Sequence, residues 1–294
     1  MEAILDWGVD VILWFQRGSP TLDLPFRVLT FMGVEEFFLL LLPLVYWCLD
    51  RRTGARLMIV FLFSSYLNAA AKELAGQPRP PDYAPERVRP LSTASGYGLP
   101  SGHTQNAVVV WGYIASQFRR AWLWVVAILL IVLIPLSRVY LGVHFPTDLL
   151  GGYLLGTALL LLYLWLEPEA EEWLGERGLA WKLGAALAVP LLLTLLFPTE
   201  DGAREGGALA GMGIGFVLER RWVGFEVKAT WWKRALRFLV GVVVLAGLWM
   251  GLGAALSGLE PALVLRFARY GLMGLWGGLG APWTFVQLKL ARTG

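Results

Sequence analysis

Residues 121–148 read AWLWVVAILLIVLIPLSRVYLGVHFPTD. From Ala121 to Ser137 there is no charge, and the run approaches the length needed to cross ~30 Å of hydrocarbon as a helix. The chemistry then changes abruptly. Arg138, His144 and Asp148 follow one another, and His144 is one of only two histidines in the chain. A membrane span that ends in a cation, an imidazole and a carboxylate sets both the fold and the question of function.

Composition extends the membrane reading to the whole chain. Of its 294 residues, 57% are hydrophobic and 16% charged, with fifteen tryptophans. A soluble domain is nearer 45–50% apolar and about 25% charged. The net charge of +3 is small and scattered, so a nucleic-acid partner is not expected. The single cysteine, Cys48, excludes an internal disulfide framework and a cysteine metal cluster. The start, MEAILDWGVD, carries acids in place of a basic n-region, so no removed signal peptide is expected.

Apolar windows predict spans near 30–49, 55–75, 103–118, 121–137, 148–166, 181–198, 206–219, 235–257 and 262–288. The expected fold is therefore all-α, a polytopic transmembrane bundle of about nine crossings. The amphipathic segment before residue 24 reads as an N-terminal interfacial helix. In 206–219 the ridge of Gly207, Gly211 and Gly215 suits close packing against a neighbouring membrane helix. Residues 1–166 hold the chemical motifs as a catalytic membrane core, and 167–294 form a C-terminal extension of further helices.

With nine crossings, Arg51, Arg52, Arg56, Arg119, Arg120, Arg220, Arg221, Lys228, Lys233, Arg234, Lys289 and Arg292 share one side, which the positive-inside rule makes cytoplasmic. The loops at 76–102, 138–148, 199–205 and 258–261 then face outward.

Three clusters fall on that outer face. The first is Lys72 followed by Arg79 and Pro80, where Gly76, Pro78 and Pro80 end a helix. Either cation alone would read as a snorkelling helix end. The second is Pro100-Ser101-Gly102-His103. Ser101 can cap the helix that follows, whose free N–H groups form an anion site facing His103. The third is Ser137-Arg138, then His144, then Asp148. An aspartate four residues beyond a histidine can hold the imidazole tautomer and leave Nε2 free as a nucleophile. Eight specified residues, at roughly one in twenty per position, do not gather on one face by chance. Three cations around a helix N-terminus suit the equatorial oxygens of a phosphate.

In this order and spacing, K-x6-R-P, P-S-G-H and S-R-x5-H-x3-D resemble the type-2 phosphatidic acid phosphatase superfamily. The superfamily includes lipid phosphate phosphatases, glucose-6-phosphatases and vanadium-dependent haloperoxidases. The likeness is strong over 72–148 and extends across about 30–166, with weaker likeness to bacterial members in GVEEFFLLLLPLVYW and GFVLERRWVGFE. It implies that His144 attacks phosphorus, that Asp148 orients it, and that His103 protonates the leaving oxygen and then activates water. Lys72, Arg79, Ser101, Gly102 and Arg138 would hold the phosphate, with no metal and no cofactor. The implied partners are a phosphorylated lipid substrate and the surrounding membrane lipids. The implied setting is a bacterial cytoplasmic membrane, with the site facing outward.

Competing readings are a sugar-phosphate phosphatase, a haloperoxidase and a non-hydrolytic anion or lipid transporter. The absence of a large soluble domain weighs against the haloperoxidase. Cations at helix mouths, away from the midplane, weigh against the transporter. Glu35, Glu36, Arg266 and Arg269 are left outside the site, and the long loop 80–100 reads as a lid. Trp47, Trp122, Trp124, Trp222, Trp231 and Trp232 read as an interfacial belt.

Overall fold

The computed structural model describes residues 2–256, 258 and 262–294. The expected outer loop at 258–261, apart from Gly258, and the last residue of the 235–257 span lie outside the described residues. Among the described residues thirteen α-helices follow in order: α1 (Glu2–Gln16), α2 (Asp23–Phe31), α3 (Glu35–Leu44), α4 (Arg51–Ala75), α5 (Pro80–Tyr83), α6 (Gly102–Phe118), α7 (Ala121–Tyr140), α8 (Pro146–Gly175), α9 (Leu179–Leu196), α10 (Glu200–Leu218), α11 (Trp231–Leu256), α12 (Leu263–Leu275) and α13 (Ala281–Gln287). Single π-helical turns occupy Val45–Leu49, Glu219–Val223 and Trp276–Gly280. Among the described residues there is no strand, only an isolated bridge between Phe225 and Thr293.

Among the described residues each of the nine expected spans is mostly helical, with a break at 32–34 in the first, but the count of nine crossings is not confirmed. Five helices (α4 continued into α5, α7, α8, α9 and α11) are long and apolar enough to cross a bilayer. A sixth span counts if α2 and α3, bent by 51°, act as one. The other segments fall short for local reasons. α6 is only 17 residues long. α10 carries Glu200, Asp201, Arg204 and Glu205 in its opening turns, and α12 and α13 are separated by a π turn.

The chain divides into two compact units, one of residues 1–38 and 67–165, the other of 39–66 and 166–294. In the first, α1 buries Leu5, Val9 and Ile12 against Val88, Val139, Phe145 and Leu149. Its opposite stripe, Ile4, Trp7 and Trp14, is apolar and exposed as well, so the helix offers a second apolar face. A second cluster of Tyr140, Leu141 and Val143 packs with Phe26, whose ring stacks on Tyr140 at 4.2 Å between centroids. These two clusters back the segment between α7 and α8. Gly152 and Gly156, one turn apart on α8, then let the helix lie directly on the start of α6. A Cβ on Gly152 would stand 2.6 Å from the Ser101 carbonyl oxygen, and one on Gly156 2.9 Å from that of Gln105.

In the second unit the glycine ridge packs as its spacing predicts. Side chains at Gly207 or Gly211 would strike the α12 backbone at Phe267 or Gly271. Arg56 pairs with Glu167 and Glu171, and Arg51 with the buried Glu219 at 3.3 Å. Arg237 is fully buried and satisfied by backbone carbonyls, including Leu290 at 2.6 Å and Val227 at 2.8 Å. Trp47 departs from the belt reading. It is fully buried and donates to the Gly277 carbonyl at 3.0 Å, because a flat indole fills the space left by close-packed glycines. The other five belt tryptophans are exposed.

Candidate active site

His144 and Asp148 lie where α7 gives way to α8, behind the two apolar clusters, and are 1% and 0% exposed. Asp148 occupies the first turn of α8. Its Oδ2 accepts from His144 Nδ1 at 2.9 Å and from the Phe145 backbone N–H at 2.9 Å. A carboxyl oxygen accepting there assigns the imidazole proton to Nδ1 and leaves Nε2 as the accepting nitrogen. Burial pushes His144 well below its ordinary histidine range, and the charges of Arg79, Arg138 and Lys72 push it the same way. The geometry suits an Nδ1–H that donates to the Asp148 carboxyl oxygen.

Arg79 stands against the free nitrogen, with Nη1 3.1 Å from His144 Nε2. It is 5% exposed, so it is no snorkelling side chain. Its fork donates to three carbonyls at 2.9 Å: Nε to Gly96, Nη2 to Ser95 and Nη1 to Val143. The loop expected to act as a lid is thus fastened to the site through Arg79. It is also fastened by Leu91, whose N–H donates to the Leu141 carbonyl at 2.9 Å.

The opening of α6 closes another side. Ser101 is the N-cap, its side chain accepting from the Thr104 N–H at 3.4 Å, while its own N–H donates to the Asp148 carbonyl at 2.9 Å. The N–H groups of Gly102 and His103 are left without intrahelical partners by helix geometry. Asn68, one turn before Lys72 on α4, donates to the Pro100 carbonyl at 3.3 Å and to Gln105 Oε1 at 2.8 Å, tying the first motif to the second. His103 hydrogen-bonds the Thr30 carbonyl. Its Nε2 is buried with no partner among the described residues, so the nitrogen facing Thr30 is Nδ1.

Arg138, 4% exposed in the last turn of α7, donates through Nη1 to Thr30 Oγ1 at 2.6 Å. Lys72 stands half-buried in the last turn of α4. Both histidines lie in the electrostatic field of Lys72, Arg79 and Arg138. Neither buried guanidinium forms an ion pair with an acid among the described residues. Asp148 and Asp82 act on Arg79 only at a distance, and buried cations without a directly paired acid are costly, a cost that an anion relieves.

All eight residues singled out by the sequence belong to the first unit and converge there. Glu35 and Glu36 are exposed at the start of α3. Arg266 pairs with Glu200 at 2.8 Å, and Arg269 donates to the Trp249 carbonyl at 2.9 Å, both in the second unit. Sequence reasoning missed Thr30, Asn68 and Gln77. Their partners lie too far along the chain for any spacing rule to reveal them.

Two family models match the chain, the PAP2 superfamily over residues 53–172 and the PAP2 superfamily phosphatase transmembrane extension over 203–293. Lipid phosphate phosphatase delta of Arabidopsis thaliana is 28% identical over 209 residues, 66% of this chain and 50% of that protein. Phosphatidylglycerophosphatase B of Bacillus subtilis is 34% identical over 160 residues, 50% of this chain and 74% of that protein. This chain therefore spans only half the length of the plant relative. Among solved structures, a PAP2-type phosphatidylglycerolphosphate phosphatase from Bacillus subtilis aligns with a TM-score of 0.49 at 26% identity, covering 57% of this chain and 88% of that one.

Proposed function

Starting from the chain's membership of the PAP2 superfamily, we propose that it hydrolyses a phosphate ester or pyrophosphate carried on a lipid, through a phosphohistidine on His144. The observation that carries this reading is the His144 imidazole. Its Nδ1 is held by Asp148 at 2.9 Å and its Nε2 faces Arg79 at 3.1 Å. That is a nucleophile with its tautomer set and a cation beside the attacking atom.

In the first step the Nε2 lone pair attacks phosphorus, and the bond from phosphorus to the leaving oxygen breaks. His103, protonated once the phosphate dianion sits beside it, gives its Nε2 proton to that oxygen, so the lipid leaves as an alcohol, or as a monophosphate if the substrate was a pyrophosphate. Asp148 stabilises the cationic ring by keeping the Nδ1–H bond. In the second step His103 takes a proton from water, the water oxygen bonds to phosphorus, and the P–N bond breaks to release phosphate. Lys72, Arg79 and Arg138, with the Ser101 hydroxyl and the Gly102 N–H, hold the equatorial oxygens throughout. These cations supply the charge that a metal ion would otherwise provide.

A lipid substrate is supported by the position of the motifs at helix ends. A phosphate held there lies at headgroup depth while its tail stays in the bilayer, contributing about 0.8 kcal/mol per buried methylene. The concentration of arginine and lysine in the other loops supports a site on the extracytoplasmic face. The deciding experiment is phosphate release by purified protein in mixed micelles. The substrates are a long-chain lipid phosphate, a polyprenyl pyrophosphate, a short-chain analogue and glucose 6-phosphate. Long-chain substrates should have the highest kcat/KM. Equal or better values for the soluble esters would sink the lipid assignment, and no release from any of them would leave transport as the better reading.

A further inference from the structure

Gln77 sits inside the first motif, between Lys72 and Arg79, yet the reaction as written gives it no part. Its Nε2 donates to Asp148 Oδ1 at 2.6 Å. We infer that Gln77 is a positioning residue for the nucleophile, fixing the carboxylate that in turn fixes His144. The inference rests on the reaction proposed at His144.

A carboxylate has two oxygens and about four lone-pair sites. Oδ2 of Asp148 is taken by His144 and by the Phe145 N–H. Held along that edge only, the group could rotate about its Cβ–Cγ bond and swing the accepting oxygen out of the imidazole plane. The bond from Gln77 secures the other edge. An amide suits this place because it donates without adding a second negative charge beside Asp148.

The chain around Gln77 is built to aim it. Gly76, with φ +58°, follows the last turn of α4 and donates to the Lys72 carbonyl at 2.9 Å. This left-handed residue is the usual helix stop, and it turns the next side chain inward. The Gln77 carbonyl then accepts from the Gly98 N–H at 2.8 Å. Gly98 itself presses on the carboxylate, since a Cβ there would lie 2.9 Å from Asp148 Oδ2 and 3.3 Å from the Pro78 carbonyl oxygen. Two backbone turns therefore converge on one glutamine and one aspartate. Lys72 and Arg79 are the cations facing Asp148.

The test compares kcat, KM and the vanadate inhibition constant of wild type, Gln77→Met and Gln77→Glu on one substrate at neutral pH. Methionine keeps the bulk and removes the donor. It should lower kcat roughly tenfold, as loss of a hydrogen bond to a charged group implies. KM and vanadate inhibition should stay within about twofold, because the phosphate cradle is untouched. Glutamate, of the same size, should lower kcat at least as far, since it sets a second carboxylate against Asp148. Wild-type kcat in both variants overturns the inference. So does a loss that falls on KM and vanadate binding together, the mark of a structural or cradle role. If the methionine variant fails to fold, the glutamate variant decides alone by the same criteria. A wild-type protein that releases no phosphate removes the reaction at His144 and this inference with it. An active wild type with indifferent Gln77 variants overturns the inference only.

Discussion

Arg79 Nη1 lies 3.1 Å from His144 Nε2, so the nitrogen expected to attack phosphorus rests against a guanidinium donor. On the proposed function, an incoming phosphate would meet the same N–H and draw it from nitrogen to oxygen, freeing the lone pair as it binds. The remaining donors of Arg79 hold Gly96, Ser95 and Val143. One side chain thus fastens the loop and sits beside the nitrogen proposed as the nucleophile.

Arg79→Lys should therefore behave as a severe change. An ammonium cannot reproduce the planar fork, and it leaves buried carbonyls without donors at about 1–3 kcal/mol each. We expect kcat/KM to fall by about a hundredfold or more, and thermal unfolding to begin at lower temperature. A variant within about threefold of wild type would show that the fork is dispensable.

His144→Ala should abolish turnover, since it removes the nucleophile. His103→Ala should stall with poor leaving groups and recover in part with an aryl phosphate, whose leaving group needs no proton. Steady-state rates on an alkyl and an aryl phosphate separate the two roles. A folded His144→Ala protein that keeps a tenth of wild-type activity would falsify the assignment.

The buried His144 should stay neutral below the pH at which an exposed histidine, near 6.5, takes up its proton. Its folded-state pKa is depressed, so the unfolded chain binds the extra proton more readily. The resulting stabilisation is present above about pH 6.5 and is lost as pH falls through the folded-state value. With only two histidines, NMR of 15N-histidine-labelled protein can follow each, using His144→Gln for assignment. A His144 resonance that titrates at 6.5 or above contradicts the geometry.

Activity should survive EDTA and be blocked by vanadate, because the proposed cradle of Lys72, Arg79, Arg138 and the α6 N-terminus would hold a phosphate-like oxyanion by its own positive charge. Assay after chelation and dialysis checks the first, and dose–response the second. Loss on chelation with recovery on adding magnesium or zinc would point to different chemistry.

The loop fastened by Arg79 should be reachable from outside the cell. Thr93 is exposed on it and Cys48 is buried, so Thr93→Cys in a Cys48→Ala background offers one accessible thiol. It should react with an impermeant maleimide in intact cells. Reaction only after lysis reverses the orientation.

Much of this protein is legible along the chain. Apolar runs mark where backbone must satisfy its own hydrogen bonds, so among the described residues the nine segments between 30 and 288 are mostly helical, as their composition predicts. Gly76, Ser101 and Pro146 mark helix ends, and the catalytic candidates stand beside them because ends leave backbone groups and side chains free to face a ligand. His144 stands in the turn just before α8 and Asp148 in its first turn, so the pair is local in the chain and its spacing alone pointed to it. The tertiary structure decided the rest. It brought Thr30 to Arg138 and His103, Gln77 to Asp148 and Asn68 to Pro100, by packing segments that no periodicity connects. It buried Trp47 against glycines and grouped residues 39–66 with 166–294. It also separated helices that are merely apolar from those long enough to span. Local propensity and hydrophobicity act on neighbours in the chain. Close approach at Gly152, Gly156 and Gly98 depends on which surfaces meet, and only the folded chain settles that.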